Sequence, residues 1–168
     1  MPALQYTPLD SSKRSTRLLR VEKASGDAEI TCELREIDLE DQPQFIALSY
    51  TWNTGGGLDS LTCNGTTVQA GKNLCDFLRR FRIDHELPLW VDALCIDQEN
   101  IDERNHQVTQ MASIYSSAMF TIAWLGEATG NEDFESRQYG FETRQAMIEL
   151  LKRPYWCRVW IIQEFLLA

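Results

Sequence analysis

Ile30, Cys32 and Leu34 alternate with polar neighbours in AEITCELREIDL (28–39), the two-residue rhythm of a strand with one buried face. With TRLLRVEK (16–23) ahead of it and ASGD (24–27) between, this predicts an antiparallel pair around a turn. FIALSYTW (45–52), LPLWVDALCI (87–96) and MFTIAWLG (119–126) are compact apolar runs, each predicting a buried strand, the second interrupted by Asp92. LTCNGTTVQA carries Asn64-Gly65 between two β-prone stretches, a strong hairpin signal. The rhythm then changes. Leu74, Phe77, Leu78 and Phe81 have helical spacing, and Asn100 followed by Glu103 has the spacing of a capping box with asparagine at the cap. Val108, Met111, Ala112, Tyr115 and Ala118 are the expected buried stripe of the helix that follows. Two more helices are expected around 141–152 and 155–168, divided by Pro154, which can open a helix but not continue one.

Strand, hairpin, helix, strand, helix, strand, helix is the order of an α/β protein with a mostly parallel sheet, flanking helices and an added N-terminal β-hairpin region. Residues 1–16 read as a flexible N-terminal arm, and 17–168 as a single domain. Ligands of such sheets collect beyond the C-terminal strand ends, near a switch in strand order. Here those ends are Tyr50-Thr51-Trp52-Asn53, Asp92 to Asp97, and Trp124-Leu125-Gly126.

Composition narrows the classes. A chain of 168 residues, 43% apolar and 24% charged, is globular in type, and its formal charge of −9 argues against binding nucleic acid through phosphates. No apolar run is long enough to span a membrane, and the polar start MPALQYTPLDSSKRSTR is not of signal-peptide type. Five scattered cysteines without a C-x-x-C, and only two histidines, argue against a structural metal site or a disulfide framework. A cytoplasmic setting with reduced thiols is expected.

The candidate chemistry starts from Glu164, an isolated carboxylate in the nearly all-apolar run RPYWCRVWIIQEFLLA. It is either kept for use or satisfied structurally, at an edge or by an arginine such as Arg158 or Arg104. Tyr50 and Trp52 have the rings to stack on a heterocycle, or to pack as core aromatics at a strand end. The glycines after Trp52 permit close backbone approach to phosphates, as they would permit any open loop. Asp92, if buried, needs a partner, a loop backbone or Arg104 being the candidates. Cys95 lacks a neighbouring histidine and reads as a small packed residue, Trp156 and Trp160 as helix-packing residues, and His106 as solvent-facing.

ALSYTW, LWVDALCIDQ, ERNHQVTQMASIYSSA, WLG and RPYWCRVWIIQE, in this order, resemble the HET domain of fungal heterokaryon-incompatibility proteins across roughly 17–168. One departure is visible: Asn53 stands where the family usually has glycine. HET domains in turn resemble Toll/interleukin-1 receptor (TIR) domains of flavodoxin-like fold. The order here is similar: a Ser49-Tyr50 strand end, a strand holding Asp92, a third apolar strand, then an aromatic-Cys segment with an acid. The resemblance implies a cell-death or allorecognition signalling domain that cleaves NAD to nicotinamide and an ADP-ribose product, an NAD glycohydrolase with Glu164 as catalytic residue. It implies NAD as substrate with no cofactor required and no metal. The nucleotide site would draw on Ser49, Tyr50, Thr51, Trp52, Asn53, Asp92, Cys95, Trp124 and Trp160. It implies a homo-oligomer on activation and a regulatory domain or partner protein. The alternative is a non-catalytic, self-associating adaptor in which the same motifs serve only the fold.

Overall fold

A computed structural model describes residues 4–52, 55–127 and 148–158. They form one seven-stranded sheet with helices, an α/β architecture. Strands β1 (Ser15–Val21) and β2 (Thr31–Asp38) are the expected antiparallel pair, Leu19 lying opposite Leu34. β3 (Ile46–Tyr50) is buried along its whole length. β4 (Leu58–Cys63) and β5 (Thr66–Gly71) are joined by Asn64-Gly65, both at positive φ (50° and 74°), as the hairpin signal requires. α1 (Lys72–Asp84) follows directly and buries Leu74, Phe77, Leu78 and Phe81, the four positions its spacing predicts.

The run at 87–96 departs from expectation. Only Leu89–Trp90 is strand (β6), and Asp92–Cys95 closes into a single helical turn, α2. The Asp92 carboxylate accepts from the Ala93 backbone N–H at 2.8 Å and so holds the start of that turn. In α3 (Ile101–Ser117) the Asn100 side chain caps the Glu103 N–H at 3.1 Å, as predicted, but Glu103 does not reach back to Asn100. The buried stripe is Gln107, Met111, Ile114 and Tyr115, whereas Val108 is exposed and Ala112 and Ala118 only half-buried. β7 (Phe120–Trp124) is half-exposed rather than buried, because it lies at the end of the strand order. Of the two expected C-terminal helices, the described residues show helix at 148–151 and a short 3-10 turn, Pro154–Cys157; 141–147 and 159–168 lie outside the described residues.

The strand order is β5-β4-β2-β1-β6-β3-β7. β3 runs parallel to both neighbours, with Tyr50 level with Trp124 of β7 and Ala47 with Trp90 of β6. β1 is antiparallel to β2 and β6, β4 is parallel to β2, and β5 is antiparallel to β4. Both hairpins are thereby built into a mixed sheet. The chain leaves β3 to one side for β6, then returns past it to β7, so the ends of β3 and β7 flank a topological switch point.

β1 is interior to the sheet, and its polar residues Ser15, Thr16 and Arg17 are buried. Burial of such groups requires partners. The Thr16 hydroxyl donates to Gln107 Oε1 at 2.7 Å and accepts from the Trp90 indole at 3.0 Å, while Gln107 donates to the Ser15 carbonyl at 2.8 Å. Arg17 forms a two-bonded pair with Glu103 (2.6 and 3.0 Å) and also donates to the Cys95 and Thr7 carbonyls. Ahead of β1, Leu4 packs against the core, the Tyr6 hydroxyl donates to the Leu94 carbonyl at 3.1 Å, and the Arg17 guanidinium lies over the Tyr6 ring.

Candidate functional site

Asn73 ties the ends of β3 and β7 together at the switch point. Its side-chain amide donates to the Thr51 carbonyl at 2.8 Å and its oxygen accepts from the Trp124 indole at 2.9 Å. Because Asn73 is the second residue of α1, the start of that helix fixes both strand ends. Gly71 makes this closeness possible. A Cβ there would lie 2.9 Å from the Trp52 carbonyl oxygen, below contact distance against backbone. Its φ of −59° suits any residue, so the constraint is steric. Gly71→Ala is expected to cost about 1–3 kcal/mol of stability, as overpacking does, and to displace Trp52. A urea melt together with the Trp52 indole resonance checks both.

On the other side of β3, the Trp52 indole N–H donates to both oxygens of Asp92, each at 3.0 Å. Asp92 thus has the backbone partner expected of it, the Ala93 N–H, and the Trp52 indole besides. Trp52 is 42% exposed, so the pair pins an indole at the surface by its edge. Tyr50 is buried. Enclosure, and after it the charge of Asp92, push its phenol pKa well above 10, so it is neutral at physiological pH.

The segment after Pro154 folds onto the same strand ends. The hydroxyls of Ser49 and Tyr155, both buried, are 2.8 Å apart, and Arg158 donates to Ser49 at 3.2 Å. Arg153 donates to the carbonyls of Leu125 (2.9 Å) and Glu127 (3.0 Å). Ser49, Tyr50, Thr51, Trp52, Asp92 and Trp124 therefore meet around the β3 end. Cys95 does not open toward them: its thiol points to the Leu89 carbonyl, accepts from the Val91 N–H, and is pushed up to about 12 by burial. It is a protonated core residue. Asn53, Trp160 and Glu164 lie outside the described residues.

Four contributors were not singled out from the sequence. Asn73 stands between a lysine and a leucine at a helix start and carries no marker. Tyr155 stands beside the more conspicuous tryptophans of its run, yet it is Tyr155 that is buried and Trp156 that is partly exposed. Arg153 acts through contacts with residues far away in the sequence, and Lys72 is an ordinary first-turn lysine paired with Asp76 four residues on. Beside the site a pocket of about 260 Å3 is lined by Trp52, Gly55–Gly57, Leu58, Lys72 and Asn73. Among the described residues no group of three or more His, Cys, Asp or Glu side chains could hold a metal, and no helix is long and apolar enough to cross a membrane.

This arrangement defines an α/β domain with an aromatic and carboxylate site at the switch point of its parallel strands. The family model described as heterokaryon incompatibility protein (HET) matches residues 45–164, and the chain belongs to that family. It is 29% identical over 133 residues to heterokaryon incompatibility protein 6, OR allele, of Neurospora crassa; the match covers 70% of this chain and 19% of that protein. No solved structure matches.

Proposed function

We propose that this domain is the signalling element of an incompatibility response that ends in cell death, and that it acts by cleaving NAD. Family membership and the similarity to the Neurospora crassa protein support the incompatibility role. One observation carries the chemical reading: the exposed Trp52 indole pinned by Asp92, and the buried Ser49–Tyr155 contact with half-buried Arg158 beside it, meet at the end of β3, where α/β sheets take nucleotides.

In the proposed reaction the bond between ribose C1′ and the nicotinamide nitrogen breaks. Its electron pair leaves with nicotinamide, which departs neutral, and positive charge builds on the ribose as in glycoside hydrolysis. Water adds to C1′ and releases a proton, giving ADP-ribose. The proposed role of Glu164, six residues after Arg158 in the chain, is to stabilise the ribose charge, and a carboxylate in a water-poor site suffices for that.

Concentrated protein incubated with NAD is expected to release nicotinamide, measured by chromatography, with a rate that rises more steeply than linearly with concentration if assembly activates it. Glu164→Gln keeps the shape and removes the charge, and is expected to lower the rate on the order of 10²-fold. Unchanged turnover in that variant would remove Glu164 from the chemistry. Absence of nicotinamide even on forced dimerisation would leave the non-catalytic adaptor as the reading.

A further inference from the structure

We infer that the pocket between Trp52 and the Gly55–Gly57 loop is the seat of one aromatic heterocycle of a nucleoside phosphate, with its phosphate at Lys72. The inference deepens the NAD reading and rests on it for the identity of the whole ligand. Four features carry it.

The first is size. At about 260 Å3 the pocket falls just below the ~300 Å3 at which clefts hold drug-sized ligands, so it suits one ring system and not a dinucleotide. The second is an apolar pair. Trp52 (42% exposed) and Leu58 (69% exposed) are large side chains left open to solvent on one pocket, which gives a flat ring two surfaces to cover. The third is orientation. The indole N–H is held by both Asp92 oxygens, so the ring is fixed by its edge and its face remains available. Hydrogen bonding to a carboxylate also enriches the indole in electron density, which favours stacking on electron-poor heterocycles. The fourth is the rim. Gly55 and Gly57 sit at φ of 78° and 82° with nothing within 4 Å of a Cβ position, so that wall is bare backbone. Lys72 supplies the cation, half-exposed and shared with Asp76 at 2.7 Å. A phosphate would compete with Asp76 for it, so Lys72 adds modestly and the stack dominates.

AMP and nicotinamide mononucleotide each supply such a ring with one phosphate, and comparing them tells which end of a dinucleotide belongs here. The readout is the Trp52 indole N–H resonance, one of five in the chain, assigned through Trp52→Phe. At least one of the two nucleotides is expected to shift that resonance saturably. Followed by titration calorimetry, since variants at 52 lack that indole, Trp52→Ala should weaken its binding about tenfold or more, as loss of a base–aromatic stack does. Trp52→Phe should retain binding within a few-fold and controls for folding. Lys72→Met should weaken the nucleotide about two- to fivefold, the range of an exposed ion pair, and leave the matching nucleoside unaffected. Failure of both nucleotides to shift the resonance up to about 10 mM, tenfold beyond a millimolar Kd, would overturn the inference. Equal affinity in Trp52→Ala would overturn it too. A nucleotide seated on Trp52 without NAD cleavage would uphold the pocket and sink the enzyme reading. NAD cleavage with binding indifferent to Trp52 would do the reverse.

Discussion

Expressed from Phe45 onward, where the family match begins, the chain is expected to lose its cooperative unfolding transition altogether. The first 44 residues contribute β1 and β2, and with them Leu18, Leu19, Ile30, Cys32 and Leu39 of the core. Burying each large apolar side chain is worth about 1.5–3 kcal/mol, so their combined loss is comparable to the roughly 5–15 kcal/mol stability of a whole domain. The cut also strips Trp90 and Gln107 of Thr16, their buried hydrogen-bond partner. Circular dichroism during a urea titration would decide: a sharp transition in the shortened chain would mean that the N-terminal hairpin is an accessory. The sheet argues otherwise, because β1 lies between β2 and β6.

Arg17→Met is expected to destabilise the full chain by about 3–5 kcal/mol, the range for removing one partner of a buried pair. The side chains of Arg17 and Glu103 are 4% and 7% exposed, so the remaining carboxylate would be stranded. The same guanidinium holds the Cys95 carbonyl at the end of α2, the turn that carries Asp92. The variant should therefore also loosen the Trp52–Asp92 pair. Replacing both partners, Arg17→Met with Glu103→Leu, should recover much of the loss, since no charge is then left unpaired. The pair also sets an acid limit. Burial alone would raise the pKa of Glu103, but the Arg17 contact and the Asp97 N–H outweigh it and hold it below its usual 4.5. A depressed carboxylate contributes stability that is present above its unfolded value and lost as pH falls through the folded one. Denaturation at pH 7 and below pH 4 should thus show the single variant's deficit shrinking in acid. A constant deficit would mean that packing, not charge, is what Arg17 supplies.

The sequence shows best what depends on neighbours along the chain. Asn64-Gly65, the α1 stripe and the Asn100 cap involve partners within a few residues, and each forms as its local pattern requires. The run at 87–96 was legible as apolar but not as two elements, because an apolar run reads alike in a buried strand and a buried turn. In α3 the stripe shifts to Gln107, a polar residue that can be buried only because Thr16 and Ser15 meet it there. Glu103 has a capping-box spacing and a different employment: its carboxylate serves Arg17 and the Asp97 N–H. The candidate site divides the same way. Trp52, Tyr50 and Asp92 were visible as aromatics and an acid at strand ends, whereas Asn73, Arg153 and Tyr155 have partners 22 to 106 residues away and no local sign of it.

The partner that satisfies Thr16 is made 91 residues later. At about 5–20 residues per second a ribosome needs roughly 5 to 20 s to supply it. For most of that interval, until Leu89 and Trp90 are made, the nascent β1–β2 hairpin has a β1 edge without its neighbour β6, and unpaired strand edges recruit other chains. Arg17 then has a use before Glu103 exists. A charge on the open strand opposes pairing with a second nascent chain, and becomes an internal pair once α3 has been synthesised. The residue that ties the finished sheet to α2 and α3 would keep the unfinished one from joining another.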